Sequence, residues 1–198
     1  MCSKVSWNAI KAVYQPLLIE DSSQFHLAEV GRVHVRRMLD ALDALDAGLG
    51  DIFSSELAEA RVSKSVKEVL RCTLLSCQEA DLTLKAEAHL GSMNVAVRGR
   101  ADYLVARGDS TLMVVEVKKE ENLLRQGKAQ ALLMLDITFT NNPAYARHVF
   151  GIASDFSTWL FFKRTPDGIY HTSDTIAKKT RDQDAERVVR RLCKMLQS

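Results

Sequence analysis

The chain has little of what announces most chemistries. Its 198 residues include four cysteines, Cys2, Cys72, Cys77 and Cys193, and none lies in a CxxC pair. With no Cys/His cluster at zinc spacing, a zinc finger is excluded, and reduced thiols in a reducing compartment are expected. His26, His34, His89, His148 and His171 are scattered and make no HExxH or His-x-His pattern. Nothing in their placement recommends a Cys–His nucleophilic pair. P-loop and GxGxxG signatures are missing as well. No apolar stretch is long enough to span a bilayer. Residues 1–20 lack the continuous apolar core of a secretory leader. A cytoplasmic or nuclear protein is therefore expected. Charge of one sign is also lacking. The net is only +2, so contact with nucleic acid requires a local basic patch.

Hydrophobic residues make up 46% of the chain and charged residues 26%, as in an ordinary globular protein. No long linker or low-complexity segment divides it. One domain over 1–198 is expected, with a helical part over 1–80, a sheet core over 81–175 and a C-terminal helix over 176–198. From Gln24 to Ala47, apolar residues such as Leu27, Val30, Met38, Leu42 and Leu45 recur at helical spacing. Asp21, Ser22 and Ser23 offer caps, and Gly48-Leu49-Gly50 ends the run. Asp40, Asp43 and Asp46 repeat every three residues. Steps of three drift around a helix, so they read as a solvated face and not as metal ligands. A second helix is expected from Ser54 to about Gln78, with Val62, Val66, Val69 and Leu70 in its stripe.

The period then changes. Leu82 to Leu90 alternates as a strand, Gly91-Ser92 signals a turn, and Met93 to Ala106 reads as a second strand. After a tight turn at Arg107-Gly108-Asp109-Ser110, Thr111 to Lys118 is a third, completing an antiparallel meander. Asn122 to Phe139 reads as a helix stopped by Asn141-Asn142-Pro143. Val149 to Ala153, Thr158 to Lys163 and Ile169 to Thr172 read as three short strands, with Pro166-Asp167-Gly168 as a turn. Asp184 to Leu196 reads as a last helix, with Val188, Leu192 and Met195 on one face. The expected class is α/β (α+β), a mixed central sheet flanked by helices.

One segment resists a purely structural reading. Glu116 and Lys118 sit two apart on an apolar strand, so they share a face. Charges on a strand of this kind are costly unless paired or bound to a cation. Asp102 lies fourteen positions before Glu116, across the turn. A tight turn near Gly108 sets the two roughly opposite each other, within reach of one hard cation. Mg²⁺ takes oxygen ligands and keeps several waters, so two carboxylates suffice, with the Val117 carbonyl as a further ligand. Lys118 would contact an attacking water or a phosphate oxygen. The alternative is a same-face ion pair of Glu116 and Lys118 at a sheet edge, with Asp102 opposite Lys118.

Arg100-Ala101-Asp102, then Glu116-Val117-Lys118 on the next strand, then a helix carrying Gln126 or Gln130, resembles the PD-(D/E)XK nuclease superfamily. The resemblance covers about Lys85 to Lys163, and the paired strands after the helix also look like those of several members. It implies a restriction-endonuclease-like fold with an N-terminal helical extension, and a phosphodiesterase dependent on Mg²⁺ or Mn²⁺. Carried over, Asp102 and Glu116 would bind metal, Lys118 would position or activate water, and Gln130 would support the site or contact the substrate backbone. Ala101 stands where the name has proline. Many members carry a further acid on an upstream helix. Glu29, Glu68 and Glu79 compete for that role here.

Arg98, Arg100, Lys119, Arg125 and Lys128 surround the motif and offer a phosphate-binding surface for DNA or RNA. Lys178, Lys179, Arg181, Arg187, Arg190 and Arg191 extend it, or else belong to a solvated basic helix. A second functional class stays open: a nuclease-like fold without catalysis, binding nucleic acid or acting as an interaction or effector domain. A homodimer or protein contact through the N-terminal helices is a third.

Overall fold

The computed structural model describes residues 5–54, 56–77, 81–91, 98–142 and 148–198, apart from the side chains of residues 49 and 98. In chain order the helices are α1 (Trp7–Tyr14), α2 (Arg32–Leu49), α3 (Glu59–Cys77), α4 (Glu120–Asn122), α5 (Lys128–Asn141) and α6 (Arg181–Leu196). The strands are β1 (Leu18–Glu20), β2 (Leu82–Gly91), β3 (Arg98–Arg107), β4 (Ser110–Val117), β5 (Val149–Ser154), β6 (Thr158–Thr165) and β7 (Gly168–Thr175). The seven strands form one mixed sheet in the order β1-β7-β6-β5-β4-β3-β2. The protein is thus a mixed α/β fold with a seven-stranded sheet flanked by helices.

The expected meander is present: β2 pairs antiparallel with β3, and β3 with β4. Gly108 has φ +54°, which suits glycine at the tip of the β3–β4 turn. The expected segment from Ser92 to Val97 lies outside the described residues, as do Glu79 and Pro143. From β4 the chain crosses through α5 to β5, which runs parallel to β4, as such a crossover requires. β5, β6 and β7 then continue antiparallel.

The helix expected over Gln24 to Ala47 begins only at Arg32. Asp21 accepts the N–H and hydroxyl of Ser23, at 2.9 and 2.6 Å, and so closes a single 3₁₀ turn. The following residues are held by α6 instead of by their own helix. The Arg190 guanidinium donates to the Ala28 carbonyl at 2.9 Å, and Arg191 donates to that of Phe25. Arg191 also pairs with Asp174 at 2.7 Å, and Arg187 with Asp184 at 2.9 Å. These arginines of α6 bind the fold together. The second expected helix starts late as well, at Glu59, because the Ser54 carbonyl and hydroxyl close a turn with Leu57 and Glu56. Two elements were not expected: α1, and β1, which joins β7 in parallel through Leu18–Ile169 and Ile19–Tyr170.

Two apolar layers cover the sheet. On one face Val35, Met38, Leu42, Val62, Val66, Val69, Val188 and Leu192 of α2, α3 and α6 bury against Met113, Val115 and Val117. On the other, Ala131, Leu132 and Leu135 of α5 pack with Val114, Ala153 and Tyr14. Strand alternation therefore turns Glu116 toward the face of Val114 and α5. Asp40, Asp43 and Asp46 face solvent and basic partners: Asp40 pairs with Arg36 at 3.0 Å and Asp43 with Arg181 at 2.7 Å.

Candidate functional site: an acidic cluster around Lys118

The hairpin register brings the first two acids together. From the turn, Arg107 pairs with Ser110 and Ala106 with Thr111, but Val105 pairs with Met113, and Leu112 is left over as a bulge. Beyond it Leu104 pairs with Val114 and Tyr103 with Val115, so the next position sets Asp102 opposite Glu116. The Asp102 carboxylate accepts the Val117 backbone N–H at 2.7 Å. It thereby takes the place of a ladder carbonyl where β4 ends, which fixes its orientation.

Glu116 lies inside the sheet, between β3 and β5, and is 3% exposed. Burial, followed by the nearby Asp102 charge, pushes its pKa up to about 8, although Lys118 pulls the other way. Lys118 follows directly. Its N–H donates to the Ser154 carbonyl at 3.0 Å, extending the β4–β5 pairing by one step. Its ammonium donates to the Val117 carbonyl at 2.9 Å. Three carboxylates close around it: Glu59 at 3.5 Å, Glu116 at 3.6 Å and Asp102 at 3.8 Å. Exposure of these side chains grades from 3% at Glu116 through 26% at Asp102 to 48% at Glu59. The cluster therefore opens to solvent on the Glu59 side.

Glu59 was missed in sequence. Of the three upstream acids considered, Glu29 is exposed ahead of α2, Glu68 pairs with Arg71 at 3.4 Å, and Glu79 lies outside the described residues. Glu59 stands three residues before Val62 and four before Ser63, at the rim of the buried stripe of α3. That spacing was the available signal, and the late start of the helix then places Glu59 in its first turn.

The route out of β4 also shapes the site. Between α4 and α5, Leu123–Gly127 forms a π-helical turn. Such turns recur at functional sites. A Cβ on Gly127 would stand 3.2 Å from Cγ of Lys118 and 3.3 Å from Leu123, so the bare backbone of Gly127 seats the stem of Lys118. Gln130 is buried near the start of α5, and Gln126 is half-buried on the turn.

The surrounding basic residues divide. Arg125 is exposed, and Arg100 is largely exposed and 3.7 Å from Glu87. Lys119 borders a cavity of about 30 Å³ with Glu120, Asp155 and Leu57. Lys128 instead lies 4.0 Å over the Trp7 ring, and burial lowers its pKa. The side chain of Arg98 lies outside the described residues. A larger groove, about 440 Å³, lies between Phe53, Asp46 and residues 178–183. Two of its cations already pair with acids, Lys178 with Asp51 at 2.6 Å and Arg181 with Asp43 at 2.7 Å. The candidate site is therefore the acidic cluster and not this groove.

Among the described residues, no three His, Cys, Asp or Glu side chains are drawn together as a ready metal cage. The oxygens of Glu59, Asp102 and Glu116 converge on an ammonium. No family model, curated protein or solved structure matches the chain. Among the described residues, no helix is long and apolar enough to cross a membrane.

Proposed function

We propose that the protein is a metal-dependent nuclease hydrolysing phosphodiester bonds of DNA or RNA. One observation carries this reading: the carboxylates of Glu59, Asp102 and Glu116 and the carbonyl of Val117 all converge on Lys118. One ammonium against three acids leaves an excess of negative charge, which is reduced by the proton that burial, ahead of the Asp102 charge, keeps on Glu116 up to about pH 8. A hard divalent cation would relieve it better. The donors are oxygens, and the open side leaves room for waters, which fits Mg²⁺ or Mn²⁺.

In this reading Asp102, Glu116 and the Val117 carbonyl hold the ion, and Glu59 is the upstream acid. When bound, the ion lowers the pKa of a water ligand and neutralises charge developing on the phosphoryl group. Lys118, released from its acids, donates to the attacking water or to a phosphate oxygen. Asp102 is held ready by the Val117 N–H, so little reorganisation is needed. Gln130, buried on α5, supports the site. Arg98, Arg100, Lys119 and Arg125 bind the nucleic-acid backbone, and Lys128 does so only if it leaves Trp7. The order of Asp102 on β3, Glu116 and Lys118 at the end of β4, a Gln-bearing α5 and then the β5–β6 pair supports a restriction-endonuclease-like fold. The test is cleavage of DNA and RNA with Mg²⁺ or Mn²⁺ by the wild type, Glu116→Ala and Lys118→Ala. Loss in both variants is expected. Equal cleavage in all three would sink the assignment.

A second reading has its own support. The ammonium of Lys118 already pairs with all three acids, as in a structural ion cluster, which suits a nuclease-like domain that binds nucleic acid or a protein without cutting. Calorimetry separates the two, since a folded protein that takes up no Mn²⁺ favours the second. A contact through the N-terminal helices would have to use their outer faces, because the apolar stripes of α2 and α3 already cover the sheet.

A further inference from the structure

Tyr103 follows Asp102 on β3, and its ring packs in the layer between the sheet and α3, 6% exposed. Its hydroxyl reaches Ser63, the residue directly after Val62 on that helix. Tyr103 Oη lies 2.7 Å from Ser63 Oγ and donates to the Ser63 carbonyl at 3.1 Å. With that proton committed, Ser63 Oγ is the donor of the shorter bond. Ser63 stands one helical turn after Glu59, on the same side of α3. Glu59 itself is the first residue of the helix, where helices fray and side chains wander.

We infer that Tyr103 and Ser63 are positioning residues that hold Glu59 at the candidate cation site. The inference rests on the reading of that site as metal-binding. One short stretch of β3 then serves two acids. Asp102 contributes its own carboxylate, and the next residue ties down the turn of α3 that carries Glu59. The pair of hydrogen bonds fixes the separation of Glu59 and Asp102, which neither element sets alone. A buried tyrosine hydroxyl takes a partner in any case; here the partner is the residue one helical turn after Glu59.

The test measures Mn²⁺ affinity by calorimetry for the full chain, as wild type, Tyr103→Phe, Ser63→Ala, Glu59→Gln, and Glu59→Gln with Tyr103→Phe. Tyr103→Phe and Ser63→Ala should each raise the Kd for Mn²⁺ about 10-fold, the scale typical of residues that orient a ligand. In the Glu59→Gln background, Tyr103→Phe should add nothing, because its effect passes through Glu59. Unchanged affinity in the single variants, with the wild type binding Mn²⁺, overturns the positioning role alone. Equal loss in both backgrounds overturns it too, by showing a general structural effect. A folded wild type that binds no Mn²⁺ overturns the site reading and the inference together. Ser63→Ala keeps the test intact should Tyr103→Phe fold poorly.

Discussion

Asp102 stands opposite Glu116 because Leu112 is the extra residue of a bulge in β4. The two-residue turn at Gly108-Asp109 starts a register that, run without interruption, would set Asp102 against Val115. The bulge advances it by one, and one step flips a strand's facing residues. Deleting Leu112 should therefore leave a regular hairpin that keeps Asp102 against Glu116. Leu112 packs half-buried against the core, so the deletion should cost about 1–3 kcal/mol while Mn²⁺ affinity is retained. Urea unfolding and calorimetry check the two parts. A folded deletion variant without Mn²⁺ binding would show that the bulge itself shapes the site.

The buried proton of Glu116 makes stability depend on pH. Its folded pKa of about 8 lies above the ordinary value of 4.5. Between those values the folded state keeps a proton that the unfolded state has lost. Stability is then fully present below about pH 4.5 and declines as pH rises, with the loss complete above about pH 8. The total is on the order of a few kcal/mol. Glu116→Gln cannot ionise, so its stability should fall less over this range and exceed that of the wild type at the alkaline end. Urea unfolding with a chelator at several pH values measures this. Parallel curves for the two proteins would contradict it.

The meander, the helix that contains α5 and the succession of β5, β6 and β7 were legible because periodicity and turn residues report local structure directly, whereas the π-helical turn before α5 and the parallel pairing of β4 with β5 were not. The pairing of Asp102 with Glu116 was legible only approximately, since a one-residue bulge leaves no mark in a valine- and leucine-rich strand. The start of α2 was misplaced for a different reason. Leu27 and Val30 keep helical spacing, yet Arg190 and Arg191, more than 150 positions away, take the carbonyls of Ala28 and Phe25. Tertiary hydrogen bonds overrode a local period. Glu59 was missed because its role depends on where α3 begins and on what lies across the sheet end. The fate of Lys128, drawn onto Trp7, likewise needed α1, whose packing no motif announces.

Gly127 should be replaceable for stability but not for function. Its backbone is helical, and alanine gains about 1 kcal/mol there over glycine. The added Cβ would meet Lys118 at 3.2 Å and Leu123 at 3.3 Å, so the two stems must yield slightly. Gly127→Ala should thus unfold within about 1 kcal/mol of wild type. Displacing Lys118 by a fraction of an ångström should lower cleavage on the order of 10-fold or more. Full cleavage with normal stability would show that Lys118 needs no such seat.

The contact between α3 and α6 predicts how the thiols react. Cys77 and Cys193 lie 2.8 Å apart at this interface, and both are buried with Cys72. Burial pushes the Cys72 thiol up to about 11. At pH 8 about one molecule in 1,000 then carries its thiolate, against about one in four for an exposed thiol. Labelling by an aromatic disulfide reagent must therefore await separation of α3 from α6. In a Cys2→Ser background, native protein at pH 8 should show no fast phase, and denatured protein should label at three thiols at once. Added urea below the transition should speed the native reaction in proportion to local opening. A fast native phase would mean that α3 lifts readily from α6, and with it the helix that carries Glu59 to the acidic cluster.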